Sequence, residues 1–142
     1  FIDIDVEIEK VENSIIPNIV TDHGWKYFRK IESKVTVKVA KMKNSLISTG
    51  GGTILDSKNA KALKKSGKLI YLHVKPATAA AQILTSKTRP PLTAKKSISE
   101  EMKHLYKERH ALYSKTANLI LKRSDNPEKD ANKIIKKLKL KN

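Results

Sequence analysis

The chain has 142 residues, with 30 Lys and Arg against 14 Asp and Glu and a formal net charge of +16. That length suits one hydrophobic core and not two, and 39% apolar residues with five Gly and five Pro exclude a low-complexity or collagen-like polymer. The absence of cysteine excludes disulfides, thiolate metal sites and a cysteine nucleophile, and no apolar run approaches the roughly 18 residues of a membrane span.

Phe1–Asp3 reads as the end of a strand, and Asp5 as the cap of a helix over Val6–Val11. Ser14, Ile15, Ile16 and Pro17 look like a second helical start, which His23-Gly24 breaks. From Trp25 to about Lys41, Trp25, Phe28, Ile31, Val35 and Val39 recur at helical spacing. Leu46–Ser48 reads as a short strand running into Gly50-Gly51-Gly52. A helix over Ser57–Ser66 ends at Gly67, expected at the C′ position. Leu69–Val74 is expected to be a buried strand, and Pro76 opens a helix to about Leu84. The polar stretch from Thr85 to Lys96, with two prolines, reads as a long loop of the kind that forms active-site lids. Ser97-Ile98-Ser99-Glu100 is a capping box for a helix to about Thr116, with Met102, Leu105, Tyr106, Leu112 and Tyr113 inward. Leu119–Leu121 is a last strand. Asn126-Pro127 starts a helix expected to bury Ala131, Ile134, Ile135 and Leu138.

Strands alternating with helices imply a parallel sheet covered on both faces, in which ligands bind beyond the carboxyl ends of the strands. Two such ends stand out: Asp3-x-Asp5 and Thr49-Gly50-Gly51-Gly52. Consecutive glycines let a ligand approach the backbone closely, although a plain tight turn has the same composition, and the two Asp read equally as a helix cap and a solvated carboxylate. The high net charge suggests a nucleic-acid surface. However, only four of the basic residues are arginine, at 29, 89, 109 and 123, the lysines are scattered, and aromatics are few. A solvated lysine surface accounts for this pattern, with the scarce arginines placed where a planar fork is needed. His23, His73, His104 and His110 show no metal spacing.

The motifs in order are F-x-D-x-D at Phe1–Asp5, F-R-x-x-E at Phe28–Glu32, T-G-G-G at Thr49–Gly52, Y-L at Tyr71-Leu72, R-P-x-L at Arg89–Leu92 and R-x-x-L-Y at Arg109–Tyr113. Together, across essentially the whole chain, they resemble the shikimate kinases, relatives of the nucleoside monophosphate kinases. The resemblance implies an α/β fold: a three-layer parallel-sheet P-loop kinase with helices on both faces. It implies a single domain over residues 1–142 with a lid at about 85–96. It also implies transfer of the ATP γ-phosphoryl group to the 3-hydroxyl of shikimate, with Mg²⁺. By the family pattern Asp5 holds the ring hydroxyls and serves as base. Arg29 and Arg109 clamp the carboxylate, and Gly50, Gly51 and Gly52 contact substrate through the backbone. Asp3 organises Mg²⁺ through water, and Arg89 reaches the phosphates of ATP from the lid.

The chain departs from that pattern at Pro91, at Ala111, at Ala81-Gln82 where an arginine is common, and at His23-Gly24-Trp25. It contains no G-x-x-x-x-G-K-[ST]. In the family that segment precedes F-x-D-x-D, so the expectation is an N-terminally truncated sequence lacking the first, central strand, the P-loop and the first helix. The expected partner is shikimate alone, with no nucleic acid, no membrane and a monomeric, cytoplasmic protein; Asp3 and Asp5 stand where a signal peptide would be basic. Another small-molecule kinase, such as a gluconate kinase, and a non-catalytic basic binding protein reusing the fold are the alternatives.

Overall fold

Asp3 starts the first helix. The computed structural model describes residues 1–84 and 97–139, and in it Ile2–Asp3 forms strand β1 and Ile4–Glu12 helix α1. Asp3 Oδ1 accepts from the backbone N–H of Asp5 at 2.9 Å and of Val6 at 3.4 Å. Asp3 is therefore the cap, two residues before the expected one, and Asp5 lies in the first turn of α1. Ile4 and Ile8, one turn apart, are fully buried. Helix α1 ends at Asn13 in the left-handed region, which Asn tolerates better than most residues. The Glu9 carboxylate then accepts from the N–H of Ile16, tying α1 to the start of α2, Ile16–Val39.

Helix α2 is interrupted where the sequence suggested. Gly24 has φ +79° and ψ 167°, a backbone conformation that L side chains avoid, although a Cβ there would meet nothing within 4 Å. The cost of any other residue is thus conformational and not steric. Gly24→Ala is expected to destabilise by about 1–3 kcal/mol, read as a lower urea midpoint at constant slope; an unchanged midpoint contradicts this reading. Beyond the break Phe28, Ile31, Val35 and Val39 are buried and pack with Ile4, Ile8 and Ile19, while Trp25 and Ile47 flank them half-buried. Strand β2, Ile47–Ser48, pairs in parallel with β1, Ile2 opposite Ile47 and Asp3 opposite Ser48. A 3₁₀ turn at Thr53–Leu55 follows the glycines, then α3, Ser57–Ser66. Gly67 ends α3 as expected; its backbone is extended, and its N–H reaches the carbonyl of Leu63.

These elements make up the first of two compact units, Phe1–Lys68; the described residues of the second run from Leu69 to Leu84 and from Ser97 to Lys139. In the second, β3, Ile70–His73, pairs in parallel with β4, Leu119–Lys122. Among the described residues the strands thus form two parallel pairs, β1–β2 and β3–β4. Strand β3, expected buried, has one partner strand among the described residues, and its Leu72 is 47% exposed. Helix α4, Pro76–Leu84, packs on α5, Ile98–Thr116, through Ala80, Met102 and Leu105. Ser97 caps α5 by accepting from the N–H of Glu100, as its capping-box spacing predicts. Leu112, expected inward, is exposed. Helix α6, Pro127–Leu138, is capped by Asn126. Its expected core stripe is not buried: Ala131 is exposed and Ile134, Ile135 and Leu138 are half-exposed. The residue it buries is Asp130, whose carboxylate accepts from the backbone N–H and hydroxyl of Ser124. The lid at 85–96, with Arg89, lies outside the described residues.

Candidate active site

The Gly50–Gly52 turn of the first unit sits against three charged side chains, Asp5, Arg29 and Glu32. A Cβ on Gly50 would lie 3.3 Å from Asp5 Oδ1 and 3.6 Å from both Glu32 Oε1 and Thr53 Oγ1. A Cβ on Gly52 would fall inside the Arg29 guanidinium. Gly52 has φ −89° and ψ −20°, open to any residue; its requirement is room for Arg29 and not backbone freedom. The sequence argument, which assigned the glycines to close approach of a ligand, therefore missed that the close neighbours include the protein's own arginine.

Arg29 is aimed from several sides. Its Nη1 donates to Glu32 Oε2 at 2.6 Å, and its Cζ lies 5.4 Å from the Trp25 ring centroid and 5.1 Å from that of Phe28. The i,i+3 spacing on α2 brings the pair together. The Arg29 side chain is 36% exposed while that of Glu32 is only 2% exposed. Among the described residues Nη1 is the one guanidinium nitrogen with a hydrogen bond. The fork is thus held at one corner and open at the others, as capture of a planar carboxylate requires. Glu32 uses its second oxygen as well: Oε1 accepts from Thr53 Oγ1 at 2.8 Å. Glu32 and Thr53 were missing from the expected site, although Glu32 closes the F-R-x-x-E motif and its i,i+3 spacing from Arg29 was legible.

Asp5 is half-buried beside the same turn, and no hydrogen bond reaches its carboxylate among the described residues. Burial pushes its pKa above the ordinary value of 3.8, the carboxylates of Asp3, Glu32 and Glu9 add to the rise, and Arg29 offsets part of it. A carboxylate that is unsatisfied and raised in pKa is poised to accept a hydroxyl proton. Asp3 is the neighbouring acid, with Oδ1 occupied in capping α1.

The structure thus brings Asp3, Asp5, Arg29, Gly50 and Gly52 into one unit, with Gly51 between the last two. Arg109 is carried by α5 of the second unit, where it is half-buried. Near it in sequence, His110 Nδ1 lies 3.1 Å from the Tyr71 hydroxyl, His73 Nε2 lies 3.2 Å from the Tyr106 hydroxyl, and the Tyr106 and His110 rings stack at 4.5 Å. Among the described residues no group of three or more His, Asp or Glu is placed to hold a metal ion, and no helix is long and apolar enough to cross a membrane.

Gly52→Ala tests the steric reading. The new methyl group would overlap the guanidinium, which must swing away from the turn and loosen its bond to Glu32. The fold is expected to lose no more than ~1–2 kcal/mol, as for modest overpacking. Shikimate, the ligand the sequence motifs imply, is expected to bind at least ~10-fold more weakly, as for loss of a charge-assisted bond, measured by calorimetric titration. Full affinity in the variant contradicts this placement of Arg29.

A family model described as shikimate kinase matches residues 1–139. Shikimate kinase 2 of Photorhabdus laumondii is 39% identical over 91% of this chain and 75% of its own length. The shikimate kinase of Caldanaerobacter subterraneus is 35% identical over 80% of this chain, which spans 66% of that relative. Among solved structures, shikimate kinase from Acinetobacter baumannii in complex with shikimate superposes with a TM-score of 0.89 at 28% identity, covering 99% of this chain and 78% of that one. Shikimate kinase from Aquifex aeolicus superposes with a TM-score of 0.82 at 32% identity, over 98% of this chain and 80% of that one.

Proposed function

The chain belongs to the shikimate kinase family, and from that premise we propose that it binds shikimate through Arg29 and the Gly50–Gly52 turn and presents one of its hydroxyls to Asp5 for phosphorylation by ATP. One observation carries the reading: the Arg29 fork is held by Glu32 and given room by the absent Cβ of Gly52, near the Asp5 carboxylate, which receives no hydrogen bond among the described residues. A carboxylated polyol has the complementary chemistry, an anion for the fork and hydroxyls for the carboxylate. The same placement speaks against a non-catalytic basic protein, whose arginines would have no reason to lie against the glycine turn. A gluconate-type substrate also offers a carboxylate and hydroxyls, so the substrate must be tested directly.

Asp5 orients the attacking hydroxyl and accepts its proton as the bond to phosphorus forms. Arg29 neutralises the substrate carboxylate and holds the ring in register. Arg109 is proposed as a second cation for that carboxylate, on the strength of the R-x-x-L-Y motif. Asp3, partly exposed and with Oδ1 committed to α1, is suited to hold Mg²⁺ through a water molecule, as a hard cation prefers oxygen donors. When bound, the ion neutralises charge developing on the transferred phosphoryl group. Arg89, proposed to reach the phosphates, lies outside the described residues, and the sequence contains no G-x-x-x-x-G-K-[ST]. The two units are proposed to act as one domain, monomeric and cytoplasmic. The match of the family model across both supports the first of these.

The test is a substrate panel. In a version of the protein that turns over ATP, ADP release is expected with shikimate and not with gluconate. Equal turnover of gluconate, or none with shikimate, overturns the assignment.

A further inference from the structure

Behind the Arg29–Glu32 pair, a chain of hydrogen bonds through buried Thr53 and Asn59 continues into α3 and returns to half-buried Ser33 on α2. Glu32 Oε1 accepts from Thr53 Oγ1 at 2.8 Å, the Thr53 carbonyl accepts from Asn59 Nδ2 at 3.0 Å, and Asn59 Oδ1 accepts from Ser33 Oγ at 2.8 Å. Ser33 adjoins Glu32 on α2, so the loop closes on itself. Thr53 is 0% and Asn59 1% exposed. The orientation of the Asn59 amide is forced: its partner on one side is a carbonyl oxygen, which only the NH₂ group can meet.

We infer that Asn59, with Ser33, is a positioning residue for substrate binding: by pinning the 3₁₀ turn at Thr53, it sets the distance between Gly52 and the Glu32–Arg29 pair and so aims the Arg29 fork at the substrate carboxylate. The inference rests on the proposed function. Asn59 touches neither Arg29 nor the open side of the site. Its influence runs through one donor to the Thr53 backbone, and Thr53 is the residue next to Gly52 and the donor to Glu32. A network of this kind is high-stakes because each buried member is satisfied only while the others are in place. Its purpose is directional: a planar fork must be aimed, whereas a lysine ammonium on a flexible stem need not be.

That difference supplies the test. Shikimate is titrated calorimetrically into the full chain and into Asn59→Ala, each with Arg29 intact and with Arg29→Lys, while thermal unfolding follows the fold. With Arg29 present, Asn59→Ala is expected to weaken binding ~10-fold, as for a hydrogen bond lost next to a charged group. With Lys at position 29 the same change is expected to cost less than ~2-fold, the signature of two residues acting through one another. Equal losses in both backgrounds, or no loss with Arg29 intact, overturn the inference and leave the proposed function standing. Ser33→Ala, which keeps the bond to Thr53, is the second variant should Asn59→Ala not fold. It is expected to cost ~3-fold with the same dependence on Arg29, and a loss independent of Arg29 counts against the inference equally. Absence of shikimate binding by the unaltered chain overturns both the inference and the functional reading.

Discussion

Asp5→Asn is expected to lower turnover by roughly a hundred- to ten-thousand-fold while making the protein slightly more stable near neutral pH. The two effects share one cause. Asp5 is half-buried next to Asp3, Glu9 and Glu32, and burial and these neighbours raise its pKa above 3.8. Ionising it therefore costs more in the folded chain than in the unfolded one. That penalty is absent at pH values below the unfolded pKa. It develops as the pH rises through 3.8 towards the raised folded value and stays constant above it. Asparagine removes the charge and with it the penalty. The expected rise in Tm is under ~3 °C, given the solvent screening of a half-exposed group, and it should disappear as the pH falls below the ordinary carboxylate range. The same substitution removes the proton acceptor and leaves an amide that cannot take the hydroxyl proton. Turnover is measured as ADP release with shikimate in a version of the protein that is active, and Tm on the chain itself. Turnover near the unsubstituted level removes Asp5 from the mechanism, and a Tm that falls at neutral pH contradicts the electrostatic account.

Glu32→Ala is expected to destabilise the fold by ~2–4 kcal/mol, somewhat below the usual loss when one partner of a buried ion pair is removed. Glu32 is 2% exposed and serves two donors, Arg29 Nη1 and Thr53 Oγ1. Its removal strips Thr53, which is fully buried, of its acceptor, and leaves a cavity between α2 and the 3₁₀ turn. Arg29 is 36% exposed and recovers part of its hydration, which keeps the loss below that of a fully enclosed pair. Glu32→Gln keeps the volume and an acceptor for Thr53 but weakens the hold on Arg29. It should cost about half as much stability, consistent with loss of one charge-assisted bond, yet impair shikimate binding nearly as severely as alanine. Urea unfolding of the two variants checks the order. A loss below ~0.5 kcal/mol for Glu32→Ala, the range of ordinary surface substitutions, contradicts the structural role given to the pair.

The elements that the sequence made legible are those with local causes. The Ser97–Glu100 capping box, the Asn126-Pro127 start and the break at Gly24 each rest on a few neighbouring residues, and each is found where expected. Helix spacing likewise placed Phe28, Ile31, Val35 and Val39 in the core. Burial in the second unit was misread because apolar periodicity shows which face of an element is apolar and not whether anything covers it. Leu72 of β3 and Ala131 of α6 carry the pattern of buried residues and are exposed. The cap of α1 slipped by two residues because Asp3 and Asp5 are equally good caps in isolation, and pairing of β1 with β2 ends the strand at Asp3. In the proposed site, motif order singled out Arg29 and the glycines, but not Thr53 and Asn59. Their roles depend on contacts over 21 residues, from Glu32 to Thr53, and 26 residues, from Ser33 to Asn59, which no local pattern encodes.

The central claim is that Arg29, held by Glu32 and given room by Gly52, captures the carboxylate of shikimate as a planar fork. Calorimetric titration of shikimate into the chain and into Arg29→Lys tests it most directly, since lysine keeps the charge and removes the fork. The account predicts measurable binding by the unaltered chain and a loss of about 1–3 kcal/mol in the variant, the range of charge-assisted hydrogen bonds. Equal affinity in the two proteins, at equal folded fraction, would contradict it.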